Sequence, residues 1–203
     1  MDNLLLGVKQ FKDELYPEYK QLFESLKSQQ SPHTLFIGCS DSRLIPDLIT
    51  RSMPGELFVV RNIANIVPKY RISEEYLATT SAIEFAVLGL NVKNIVVCGH
   101  SNCGGCRALV QQYQFKNMPH TIKWLEQIKE IVDNINIFDQ DNMFELIEKQ
   151  NIILQLQNLM TYPFIKERFE EKTLQLFGWY FDIGTGTVFN YNRITNQFEK
   201  LGE

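Results

Sequence analysis

The first 28 residues repeat apolar positions at helical spacing. Leu4, Val8, Phe11, Leu15, Tyr19, Leu22 and Leu26 fall three or four apart, which predicts an amphipathic helix over residues 2–28. Pro17 should break or kink it near Tyr16, because proline has no amide proton and its ring crowds the preceding turn. The pattern then shortens. Leu35–Cys39, Leu57–Val60 and Asn94–Cys98 are brief, wholly apolar runs, the signature of strands buried on both faces. Between the last two a helix is expected from about Ser73 to Leu88. Ser73 can cap it, Glu74 and Glu75 suit its positive end, and Ala78, Ala82, Phe85, Ala86 and Gly89 give a small-residue face suited to a sheet. Residues 119–160 read as mostly helical. Leu174–Ile183 reads as a strand, and Gly184-Thr185-Gly186 turns it into Val188–Tyr191, a hairpin that gives the sheet an antiparallel edge.

Short apolar strands alternating with helices predict an α/β fold: a mostly parallel central sheet flanked by helices, with an antiparallel edge strand and an N-terminal helical arm. Residues 1–203 are expected to form one domain, with residues 1–28 as the arm. Right-handed crossovers place the strand C-termini along one edge, where open α/β sheets bind ligands. Cys39, Arg61 and His100 all fall on that edge.

Composition narrows the function classes. A hydrophobic fraction of 44% with 12% aromatic residues can fill a core. The formal charge is −4 and no basic run stands out, so nucleic acid is not an expected partner. No apolar stretch approaches the roughly 20 residues that span a bilayer, so no membrane partner is expected. The first residues carry a short apolar patch without a basic flank or cleavage site, and read as a helix start in a cytoplasmic protein.

The four cysteines are Cys39, Cys98, Cys103 and Cys106, three of them within nine residues. That clustering favours metal or redox chemistry over a disulfide framework. Cys98 is interior to a strand and reads as core. His33 and His120 adjoin Pro32 and Pro119 and read as loop residues. Cys39 and His100 each stand where an apolar run ends, and Cys103 follows three positions later. Two thiolates and an imidazole suit zinc, one ion per chain, with the fourth tetrahedral position open as in a catalytic site. The combination points to an enzyme that makes hydroxide on a metal.

Each neighbouring motif has two readings. Cys103-Gly104-Gly105-Cys106 is a C-x-x-C motif, and a redox dithiol could sit there at a helix start; that reading leaves His100, Asp41 and Arg43 without use. Asp41 and Arg43 could be a surface ion pair worth about 0–1 kcal/mol. Beside a metal they could instead be catalytic, with Arg43 holding the carboxylate ionised and oriented and Asp41 accepting a hydrogen bond from metal-activated water. Gly104 and Gly105 could serve a tight turn, or present amides to an anion, or both.

Cys39-Ser40-Asp41-Ser42-Arg43, Pro54-Gly55-Glu56, Arg61-Asn62-Ile63-Ala64-Asn65 and Gly99-His100-Ser101-Asn102-Cys103-Gly104-Gly105 closely resemble the β-class carbonic anhydrases. The likeness is dense from Gln30 to Arg107 and returns at Asn158–Phe164. It implies zinc on Cys39, His100 and Cys103, an Asp41–Arg43 dyad, and reversible hydration of carbon dioxide to bicarbonate and a proton. It also implies a homodimer with sites at the interface and N-terminal helices embracing the partner, or a homotetramer of such dimers. Gln30 and Phe58 match a glutamine and a phenylalanine on the family's substrate side, while Phe85 stands where a tyrosine is usual. Phe36 stands where a second type of site in the family carries a tryptophan, so the type with a directly water-bound zinc is expected here. Phe58 and Phe85 are then candidates for the apolar wall that holds carbon dioxide. Proton export is open between buffer, water, Tyr70, Tyr76 and His33. Two thiolates cancel the charge of the ion, so the basic limb of the pH–rate profile should lie above that of a three-histidine site.

Overall fold

The computed structural model describes residues 2–71, 77–134 and 142–202. The expectations for Ser73, Glu74, Glu75 and Tyr76 lie outside the described residues.

Six strands form one sheet in the order β2-β1-β3-β4-β5-β6. β1 (Thr34–Cys39) and β3 (Asn94–His100) lie at its centre, and β2 (Leu57–Asn62) and β4 (Gln175–Asp182) flank them. These four run parallel. β5 (Thr187–Asn192) and β6 (Gln197–Lys200) extend the sheet antiparallel from β4. The α/β architecture and the antiparallel edge are as expected, and β6 is an addition to the expected set. All six residues of β1 are buried, which explains its unbroken apolar run. Alternation along it feeds two cores. Leu35 and Ile37 join Ile95, Val97 and Ile83 on one side, and Phe36 joins Val96 and Cys98 on the other.

The N-terminal arm is helical from Asp2 to Leu26, in α1 (Asp2–Gln10) and α2 (Tyr16–Leu26) joined by a π turn over Phe11–Leu15. The Tyr16 amide bonds the Phe11 carbonyl, and Pro17 sits in the first turn of α2. The expected interruption near Tyr16 is thus a widened turn that absorbs the proline's missing donor. No described side chain of the arm is buried.

A short α3 (Pro46–Thr50) follows β1. α4 (Leu77–Glu84) runs into a π turn, Phe85–Gly89. The expected small-residue face is corrected here. Thr79, Ile83, Ala86 and Val87 are buried, whereas Ala78 and Gly89 are exposed and Phe85 is 51% exposed. The bulkier aliphatic residues win the sheet-facing stripe because they remove more apolar surface from water.

After β3 come α5 (Gly104–Val110), α6 (Pro119–Leu125), α7 (Lys129–Asn134), the long α8 (Met143–Leu159) and α9 (Pro163–Glu170). α8 lies directly on β3 and β4. A Cβ on Gly99 would meet Ile152 at 2.9 Å, and one on Gly178 would meet Leu156 at 2.8 Å, so both positions need glycine for this close approach. α8 also carries a polar stripe. Glu148, Asn151, Gln155 and Asn158 are all buried. Asn151 Nδ2 donates to the Ala64 carbonyl, Gln155 Oε1 accepts from the Val67 amide, and Asn158 Nδ2 donates to the Val67 carbonyl. This amide ladder fixes the segment after β2, where Ala64 and Asn65 have positive φ.

Candidate metal centre

Parallel pairing sets the site. β1 and β3 are neighbours in register, Gly38 opposite Cys98, so Cys39 and His100 end up side by side although 61 positions apart in sequence. After His100 the chain turns through Asn102, at φ 55°, and delivers Cys103 to the start of α5. The donor atoms of Cys39, His100 and Cys103 lie within 4.8 Å of one another, and all three residues are buried. The two sulfurs are 3.9 Å apart.

The donor set fits zinc on three observations. Sulfurs about 2.3 Å from a tetrahedral ion stand about 3.8 Å apart, near the separation found. His100 Nδ1 lies 3.0 Å from the Ser101 carbonyl, which can only accept, so Nδ1 carries the proton and Nε2 presents its lone pair. That Nε2 is buried with no hydrogen-bond partner among the described residues. The contact with Cys103, together with burial, pushes the Cys39 thiol up to about 12. Contact with Cys106 and burial push Cys103 up as well. Without a cation the two thiols stay protonated, and a bound metal is what would hold both as thiolates.

Asp41 stands over this cluster, its Oδ2 3.8 Å from His100 Nε2. Arg43 grips it with three donors: the backbone amide and Nε to Oδ1 at 3.0 and 2.9 Å, and Nη2 to Oδ2 at 2.8 Å. The Arg43 guanidinium holds the Asp41 carboxyl well below the usual carboxylate range. Arg43 Nη2 also reaches the Asn102 carbonyl at 3.2 Å, tying the loop after β1 to the loop after β3. Arg61 donates to the carbonyls of Cys39 and Asp41, at 3.0 and 2.6 Å.

A family model described as carbonic anhydrase matches residues 34–188. The chain is 40% identical over 206 residues to the carbonic anhydrase of Helicobacter pylori strain J99, covering 98% of this chain and 93% of the relative. It superposes on the β-carbonic anhydrase CcaA with a TM-score of 0.92, at 35% identity and 98% coverage of both chains. It also matches one of two tetrameric β-carbonic anhydrases from Sordaria macrospora, with a TM-score of 0.71 and 33% identity over 100% of this chain and 93% of that one. The chain belongs to the β-class carbonic anhydrases. Enzymes of this class use zinc to interconvert carbon dioxide and bicarbonate, and that is the reaction of this one.

In this carbonic anhydrase the five residues Cys39, Asp41, Arg43, His100 and Cys103 converge. The remaining substrate-side candidates are Phe58, Phe85, Gln30 and Gly104. Phe58 and Phe85 pair with each other, ring centroids 5.9 Å apart. Gln30 is exposed in the loop between α2 and β1, and no described hydrogen bond joins it to the cluster. Gly104 opens α5 with free space where a Cβ would lie, whereas Gly105 packs against Ile63 and Ala64. Cys98 is core, as expected. Cys106 is buried, and the Cys103 sulfur reaches across to Cys39.

Sequence reasoning missed one residue next to the centre. Glu148 of α8, 3% exposed, accepts a 2.8 Å hydrogen bond from the Cys103 amide on Oε1 and a 3.1 Å one from the Tyr180 hydroxyl on Oε2. Burial pushes its carboxyl up to about 7, against the pull of these two donors. The available signal was the spacing of Glu148, Asn151, Gln155 and Asn158, which puts four polar residues on one face of a helix.

Proposed function

We propose that Cys39, His100 and Cys103 hold one zinc per chain, that Asp41 and Arg43 are the catalytic pair, and that the working unit is a homodimer with its sites at the interface. The observation that carries the reading is the Asp41 carboxylate, locked by Arg43 with Oδ2 3.8 Å from His100 Nε2.

Zinc, when bound, supplies the Lewis acidity that makes water a nucleophile near neutral pH. Asp41 does the aiming. Ionised, it can only accept, so it takes the hydrogen bond of the attacking oxygen and leaves a lone pair directed at carbon dioxide. Arg43 keeps that carboxylate from rotating and from taking up the proton. Phe58 and Phe85 form the apolar wall for the substrate. Phenylalanine at position 85 offers no hydroxyl, so proton export does not run through it. Gln30 and the Gly104 amide are donors for the bicarbonate oxygens.

The dimer is supported by what the single chain leaves uncovered. Leu4, Leu5, Leu6, Val8, Phe11 and Leu15 of the arm are all exposed, as are Phe85 and Gln30. A second copy that accepts the arm covers the apolar stripe and completes the substrate side at once. The tetrameric Sordaria macrospora enzymes support a further pairing of dimers. Among the described residues no helix is long and apolar enough to cross a membrane, and the four cysteines are free thiols, which fits a reducing cytoplasm.

Stopped-flow carbon dioxide hydration, with zinc counted in the same sample, tests the site. The native enzyme should carry one zinc per chain and turn over rapidly. Asp41→Asn should keep the zinc and lose about 100-fold or more in kcat. Unchanged turnover in that variant would remove Asp41 from the mechanism.

A further inference from the structure

Cys103 occupies the residue before the first turn of α5, where an amide has no partner within the helix. It follows Asn102, held in the left-handed region at φ 55°, a conformation that persists only when its surroundings fix it. The anchors of this loop are on the page. The Ser101 amide bonds the Phe181 carbonyl, Ser101 Oγ meets Asp182, and Arg43 holds the Asn102 carbonyl. The Cys103 carbonyl accepts from the Arg107 amide of α5, and its own amide is held by the Glu148 carboxylate. Glu148 is in turn fixed at both ends: its helix is seated on Gly99 and Gly178 and laced to residues 64–67 by the amide ladder, and its second oxygen is held by Tyr180.

We propose that Glu148 is a positioning residue for the metal centre: braced by Tyr180, it holds the Cys103 amide and so sets the Cys103 sulfur at the spacing from Cys39 that a tetrahedral ion needs. The inference rests on the zinc reading of the three donors. The role is geometric. Oε1 has to accept a hydrogen bond, and a neutral amide can do that as well as a carboxylate. In Glu148→Gln, Oε1 accepts from Cys103 while Nε2 donates to the Tyr180 oxygen, so both bonds survive. In Glu148→Ala the Cys103 amide is left without its acceptor, and in Tyr180→Phe the carboxylate loses its brace.

The test measures the metal and not turnover. Zinc transfer from the loaded enzyme to a colorimetric chelator gives the release rate, and the cobalt-substituted enzyme gives the visible bands that report ligand geometry. Glu148→Ala should release zinc about 10-fold to 100-fold faster than the native enzyme and shift the cobalt bands. Tyr180→Phe should do the same more weakly, and Glu148→Gln should match the native enzyme in both. A native release rate and spectrum in Glu148→Ala, or in Tyr180→Phe should the alanine variant fail to fold, overturns the proposal. So does Glu148→Gln behaving like Glu148→Ala, which would assign the effect to charge. If the native enzyme takes up no zinc, the metal reading fails instead, an outcome separate from any difference among the variants.

Discussion

After β1 the chain leaves Cys39 for Ser40–Arg43, where Asp41 is partly and Arg43 about half exposed, and where both arginines are gathered on one side of the donors. After β3 it passes from buried His100 through exposed Asn102 to buried Cys103, whose amide meets a helix that offers a carboxylate. Arg43 of the first loop reaches solvent, and Cys103 at the end of the second is seated in the core. Both supply a sulfur to the same cluster, yet their supporting groups differ in kind. Arginines hold Asp41, the residue proposed for catalysis, and a buried carboxyl group holds the amide of a proposed metal ligand. On the proposed reading, orienting a reactive group and fixing a metal donor are separate tasks, carried by separate side chains. Substitutions on the two sides should therefore fail in different measurements.

Removing a ligand erases the contrast. Cys39→Ala and Cys103→Ala should each lose bound zinc, and with it about 1000-fold or more of hydration activity, by elemental analysis and stopped flow on the same material. Zinc retained at one per chain in either variant would place the ion elsewhere. Arg43→Ala sharpens the contrast from the exposed side. It frees Asp41 without touching a donor, so kcat should fall about 100-fold with the zinc count unchanged. Arg43→Lys should recover only part of that, because an ammonium cannot reproduce the two-pronged grip.

Gly178→Ala probes the buried side at a distance from any ligand. The added carbon meets Leu156 and Ile152 and should destabilise the protein by about 1–3 kcal/mol in urea unfolding. Gly104→Ala, with open space around it, should stay within about 0.5 kcal/mol. The smallest effect is in acid. Asp41 is depressed in the folded state, so its contribution is present above the ordinary carboxylate range and is lost as pH falls through and below it. In zinc-stripped protein the stability gap between native and Asp41→Asn should be visible at pH 7 and should shrink at about pH 3. A gap that widens in acid contradicts the depressed carboxyl.

What could be read in advance followed from burial. β1 and β3 are covered on both faces, so their interiors are apolar, and the reactive side chains at their ends stand out. The three donors, Asp41 and Arg43 were legible for that reason. β6 was not, because an edge strand with one partner needs little apolar content, and Phe198 is its only large apolar residue. The buried face of α4 was misjudged because the spacing of small residues was weighed above the bulk of Ile83 and Val87. Glu148 was hidden by a more general fact. A polar stripe on a helix ordinarily faces water, and only the docking of α8 on two glycines turns this one inward.

The order of strands has one more consequence, for the history of each molecule. In a zinc finger the ligands are near neighbours along the chain, and the ion can gather them before anything else is built. Here the first sulfur leaves the ribosome long before its companions, and it meets them only once the third strand has zipped against the first. The ion finds its full donor set only after that pairing. It arrives as a keystone, and metal-starved cells should accumulate finished, empty enzyme and not unfolded chains.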